Sequence, residues 1–121
     1  MKSKRQGRYW LTAVHKSALN DAKNVGLSDA LLTQLVEQFH SLGDIEDPTM
    51  APGVTRLREY KLRVLRQKTK NPLLLSSVRG LILQVRPKGR GELFLVGIFS
   101  RSPETYHEDV PARMKELGLV R

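Results

Sequence analysis

The chain has 121 residues, 40% of them hydrophobic and 27% charged, which is the size and balance of one globular domain and excludes wholesale disorder. It contains no cysteine, which excludes disulfides, thiol nucleophiles and cysteine-held metal clusters. Lys plus Arg is 21 against 12 Asp plus Glu, a net charge of +9. No apolar run approaches the ~20 residues of a bilayer span, and no signal-peptide core follows Met1 to Arg8, so a cytoplasmic protein is expected.

Residues 1–8, MKSKRQGR, lack apolar anchors and are expected to form a basic flexible tail, with a single domain over 9–121. Tyr9 to Val14 has the aromatic and β-branched composition of a strand. From Lys16 the period changes, with Ala18, Leu19, Ala22 and Val25 at helical spacing and Gly26 as the stop. Ser28 can cap a second helix whose apolar stripe runs from Leu31 to Leu42, and Gly43 ends it. The link between the two is tight, which predicts a helix pair.

Residues 44–53, DIEDPTMAPG, read as a loop. Val54 to Gln67 admits either a strand or a basic helix, of which extended structure is preferred. A loop around Asn71-Pro72 follows. Leu81 to Val85 and Leu93 to Phe99 are strands joined by the Pro/Gly-rich 87–91 segment, which predicts a hairpin. The second of these is apolar on both faces and belongs in the centre of a sheet. A last helix is expected from about Asp109 to Leu117, with Pro111 in its first turn. The order of elements predicts an α+β fold: a mostly antiparallel sheet, an N-terminal helix pair and a short C-terminal helix.

Charge is unevenly distributed. Residues 1–10 carry +4, residues 11–53 carry −4, residues 54–90 carry +10 and residues 91–121 carry −1. A polyanion is the natural partner of the central stretch, and a solvated basic face is its bland alternative. His15, His40 and His107 fall in three separate elements without metal-ligand spacing, and His40 reads as solvent-facing or capping. Lys88 and Arg90 lie in a glycine-rich segment without phosphate-loop spacing, best explained as a hairpin turn, although both can touch phosphate. Arg101, Tyr106 and His107 lie just beyond the buried strand. An arginine there can hold a phosphate, and a Tyr or His can exchange a proton with a ribose 2′-hydroxyl. The structural alternative is that Tyr106 packs the last helix on the sheet.

The run GELFLVGIFSRSPETYHEDV resembles the last strand and following segment of RelE-type toxins, which are ribosome-dependent mRNA endonucleases. In that family a buried strand leads to Gly-Lys-Arg and then Glu-x-Tyr-x-Glu. Here Ser100-Arg101 is similar to the Lys-Arg step, and Glu104 to Glu108 matches the second part after a one-residue gap. Leu83-Gln84-Val85 is similar to the Tyr-Gln-Val of the preceding strand, with Arg79 one place early for the family's arginine. The sequence resemblance covers residues 79–110. It implies that Arg101 holds the scissile phosphate, that Tyr106 stacks on or activates the nucleotide, that Arg79 is a second phosphate contact and that His107 acts as acid or base. The family's central lysines are answered by Lys61, Arg63, Arg66 or Lys68, without a choice among them. Together with Arg86, Lys88 and Arg90 these form the expected nucleic-acid-binding set.

The implied activity is cleavage of mRNA by 2′-hydroxyl attack, with no metal and no cofactor. The implied partners are mRNA on the ribosome and an antitoxin protein. Two departures stand against full activity: the shifted Arg79, and a stretch from Leu57 to Ser77 longer than the family's usual connection. The alternative is a non-catalytic nucleic-acid-binding protein using residues 54–90; a module binding an acidic protein has only the charge in its favour.

Overall fold

The computed structural model describes residues 3–57, 63–68, 78–85, 91–100 and 110–116. Six strands form one sheet: β1 (Lys4–Gln6), β2 (Leu11–Val14), β3 (Val54–Leu57), β4 (Arg63–Lys68), β5 (Val78–Val85) and β6 (Glu92–Ser100). Two helices, α1 (Lys16–Asn24) and α2 (Asp29–Ser41), follow β2, and α3 (Val110–Glu116) follows β6. The strand order is β1-β2-β6-β5-β4-β3. Only β2 and β6 pair in parallel; every other neighbouring pair is antiparallel. This is an α+β fold with a mostly antiparallel sheet, as expected, and β6 lies between β2 and β5 in its interior.

The helix pair forms for local reasons. At the end of α1 the Leu27 amide donates to the Ala22 carbonyl (3.0 Å) and the Gly26 amide to Lys23 (3.1 Å). Gly26 has φ +76°, a left-handed value that costs glycine nothing. Ser28 then starts α2, its Oγ accepting from the Leu31 amide at 3.2 Å. The stripe of α2 buries Leu35, Val36 and Phe39 with Ala18 and Ala22 of α1 against Leu65, Ile82, Leu95 and Ile98 of the sheet. On the opposite sheet face Met114 of α3 packs with Leu81, Leu83 and Val96. The sheet is therefore covered on both faces, by the helix pair on one and by α3 on the other.

The ambiguous stretch from Val54 resolves as two antiparallel strands, with Val54 opposite Gln67 and Leu57 opposite Val64. Leu65 is fully buried in the core, so the extended reading prevails because one face of β4 carries a core residue.

Residues 3–8, the described part of the expected basic tail, do not form a free tail. Lys4–Gln6 pair with β2, Lys4 opposite Ala13 and Gln6 opposite Leu11. The pairing is backbone to backbone, so it left no apolar signature. Behind it, Gly7 packs on Gly43: a Cβ on Gly7 would lie 2.5 Å from the Gly43 carbonyl carbon and oxygen. Gly7→Ala is expected to lower stability by about 1–3 kcal/mol, because backbone must move to admit the methyl group. A urea midpoint unchanged from wild type would show that this contact does not constrain the fold.

Where β2 stops, β6 continues with its backbone on that side unpaired by any strand. Helices satisfy it instead, as buried peptide groups require. The Val96 carbonyl accepts from Ser17 Oγ (2.6 Å) and Arg113 Nη1 (2.7 Å), and the Ile98 amide donates to Asp21 Oδ2 (3.0 Å). Asp21 and Arg113 are joined by two bonds of 2.7 Å. This cluster ties α1, β6 and α3 together.

Candidate nucleic-acid interface

Cross-strand register decides which of the basic positions between Val54 and Arg90 come together. Residues directly opposite on paired strands lie on the same sheet face. Lys68 is opposite Arg79, and Arg79 is opposite Phe99, forming one row across β4, β5 and β6. The next row holds Arg66, Leu81 and Gly97. In these rows Leu81 and Phe99 pack in the α3-side cluster. This end of the sheet is also where β6 finishes at the exposed Ser100, opposite Val78.

Arg63 belongs elsewhere. It is opposite Gln84, at the other end of β4 and β5, about 17 Å from Lys68 at a strand's rise per residue. Lys61, Arg86, Lys88 and Arg90 lie outside the described residues. Among the described residues, Arg63 and Lys68 thus fall at opposite ends of β4.

Arg101, Tyr106 and His107 also lie outside the described residues, between the end of β6 and the start of α3. Arg79 is described, and it is not on an open surface. It is 5% exposed, and its Nη1 donates to the Val78 carbonyl at 2.9 Å. A guanidinium so placed contributes positive charge to this end of the sheet without presenting itself to solvent.

The histidines resolve differently from each other. His15 caps α1, its Nδ1 accepting from the Ser17 amide at 3.1 Å. His40, expected at the surface or as a cap, is 1% exposed, and its Nδ1 lies 2.6 Å from Thr12 Oγ1. The Thr12 hydroxyl also lies 3.1 Å from the Arg5 carbonyl, which accepts from it. The correction has a clear cause: α2 buries one side along its whole length, and position 40 falls next to Phe39 on it. Among the described residues no group of three or more His, Cys, Asp or Glu is placed to hold a metal.

Sequence reasoning missed the Asp21–Arg113 pair. Its side chains are 10% and 12% exposed. The hydrogen bonds that Arg113 donates to the Asp21 carboxylate hold its guanidinium above its ordinary pKa, against the opposing effect of burial. A signal existed: Asp21 lies between Ala18 and Ala22 on the apolar stripe of α1, where a carboxylate needs a partner.

No helix among the described residues is long and apolar enough to cross a membrane. No known family, curated protein or solved structure matches this chain.

Proposed function

We propose that the protein is a cytoplasmic endoribonuclease of the RelE toxin type, cutting mRNA on the ribosome without a metal and restrained by an antitoxin partner. The observation that carries this reading is the convergence of Lys68 and Arg79 in one cross-strand row at the sheet end where β6 leads through Ser100 into Arg101. The resemblance over residues 79–110 and the element order support it.

In this reading the 2′-hydroxyl attacks the adjacent phosphorus. A P–O2′ bond forms, the P–O5′ bond breaks, and the products are a 2′,3′-cyclic phosphate and a 5′-hydroxyl. Tyr106 or His107 takes the 2′ proton and the other returns one to the leaving oxygen. Arg101 offsets the charge that grows on the phosphate, the interaction that contributes most in sites of this kind. Lys68 and Arg79 add positive potential, and the ribosome positions the strand.

The burial of Arg79 favours a second reading, a nucleic-acid-binding protein that does not cut. Induced expression in a bacterial host separates the two. The nuclease reading expects growth arrest and discrete new 5′ ends inside reading frames, absent in Arg101→Ala/Tyr106→Ala. Equal growth and intact transcripts with both soluble proteins would leave the binding reading.

A further inference from the structure

The first ten residues carry four positive charges and no acid, and the function proposed above gives them no role. The fold holds this tip in place. The Tyr9 and Trp10 amides both donate to the Gly43 carbonyl (2.8 and 3.0 Å), and the Arg8 amide donates to Asp44 Oδ1 (2.9 Å). On this anchored backbone the Arg8 guanidinium lies 5.5 Å from the centre of the Tyr9 ring. Tyr9 is 41% exposed, and Lys4, Arg5 and Arg8 are exposed on the same β1–β2 hairpin, Lys4 at its far end opposite Ala13. Arg5 is shared with Asp44 (3.4 Å) and Glu37 (4.0 Å). Among the described residues neither Lys4 nor the Arg8 guanidinium has a carboxylate partner.

We propose that Lys4, Arg8 and Tyr9 form a contact for single-stranded RNA, a base stacking on the Tyr9 ring and the neighbouring phosphates lying on Arg8 and Lys4. This rests on the reading of RNA as the protein's polyanion. A basic groove with an aromatic platform is the general device for holding single strands, and a guanidinium over the ring strengthens it. An acidic protein segment would use the charges but gives no reason for an exposed ring beneath an arginine. The contact is separate from the Lys68–Arg79 end: β1 and β4 are four strand spacings apart, roughly 19 Å across the sheet, and Tyr9 precedes Leu11, which pairs with Glu92 at the opposite end of β6 from Phe99.

The test is fluorescence anisotropy of the full chain with a labelled, fully 2′-O-methylated single-stranded RNA, which 2′-hydroxyl attack cannot cut, over a range of salt concentrations. Tyr9→Ala is expected to weaken binding about 5- to 100-fold with an unchanged salt slope. Lys4→Gln/Arg8→Gln is expected to reduce the slope of log affinity against log salt by about 1.4, two single-strand phosphate contacts. Lys16→Gln/Lys23→Gln on α1 removes the same charge from another exposed surface and is expected to leave the slope near wild type. Wild-type affinity and slope in both edge variants would overturn the proposal, as would an equal effect of the α1 variant. Polyglutamate binding as tightly as RNA and weakened equally by Lys4→Gln/Arg8→Gln would assign the edge to an acidic protein and overturn it too. Failure of the wild type to bind RNA at any salt would instead sink the underlying reading of RNA as partner, and this proposal with it.

Discussion

Asp21→Ala is expected to destabilise the protein by about 3–5 kcal/mol, the usual cost of leaving one member of a buried ion pair uncompensated. Against a total of about 5–15 kcal/mol for a domain, that is a large share. The side chain is 10% exposed and accepts from both terminal nitrogens of Arg113 and from the Ile98 amide. Its loss unpairs the Ile98 amide and leaves the Arg113 guanidinium with only the Val96 carbonyl and the exposed Glu116 carboxylate (3.0 Å). Removing both charges with Asp21→Ala/Arg113→Met is expected to recover part of the loss, since no unpaired charge then stays buried. Urea unfolding measures both. A change below about 1 kcal/mol in the single variant would mean that water replaces the carboxylate and that the pair does not bind α3 to α1. The pH dependence follows from the raised Arg113 pKa: its contribution is complete below the unfolded value and is lost only as strongly alkaline pH passes the folded one. Across neutral pH the guanidinium's part is constant.

Trp10→Ala is the second large effect, with an expected cost of about 3–5 kcal/mol. Trp10 is 1% exposed and packs in the helix-side core. Its Nε1 donates to the carbonyls of both Ile45 (3.0 Å) and Glu46 (3.1 Å), holding the chain after α2 against β2. The ring also lies on Gly91, where a Cβ would come within 2.6 Å of it. One substitution therefore opens a cavity and unpairs two carbonyls. Trp10→Phe keeps much of the volume and isolates the hydrogen-bond share, expected to be the smaller part. Thermal unfolding of the two variants separates these terms. Equal losses would assign the effect to the indole nitrogen rather than to packing.

Both residues mark where local sequence stops being informative. Trp10 announces a buried strand by its type, yet what it buries against, Gly91 and the carbonyls at 45 and 46, lies far along the chain. Asp21 interrupts an otherwise regular apolar stripe, and its partner is ninety-two positions away. The candidate site behaves the same way. The sequence marks Arg66, Lys68 and Arg79 as basic, and only register shows that Lys68 and Arg79 are opposite each other while Arg63 is at the far end.

What the sequence by itself determined is everything written at short range. The helix pair follows from apolar spacing with Gly26 and Ser28 at its junction, β5 and β6 from two apolar runs around a Pro/Gly segment, and the uneven distribution of positive charge from the charge count. These features depend on neighbours within a turn or a hairpin, so the residues concerned encode them alone. The tertiary structure decided the rest. It recruited Lys4–Gln6 into the sheet through backbone pairing, for which the charged tip carries no side-chain signal. It made β2 and β6 parallel, buried His40 against Thr12, joined Asp21 to Arg113 and set Lys68 opposite Arg79. Each of these results from contacts between segments distant in the chain, where the requirement to pair buried peptide groups and charges overrides what the residues prefer locally.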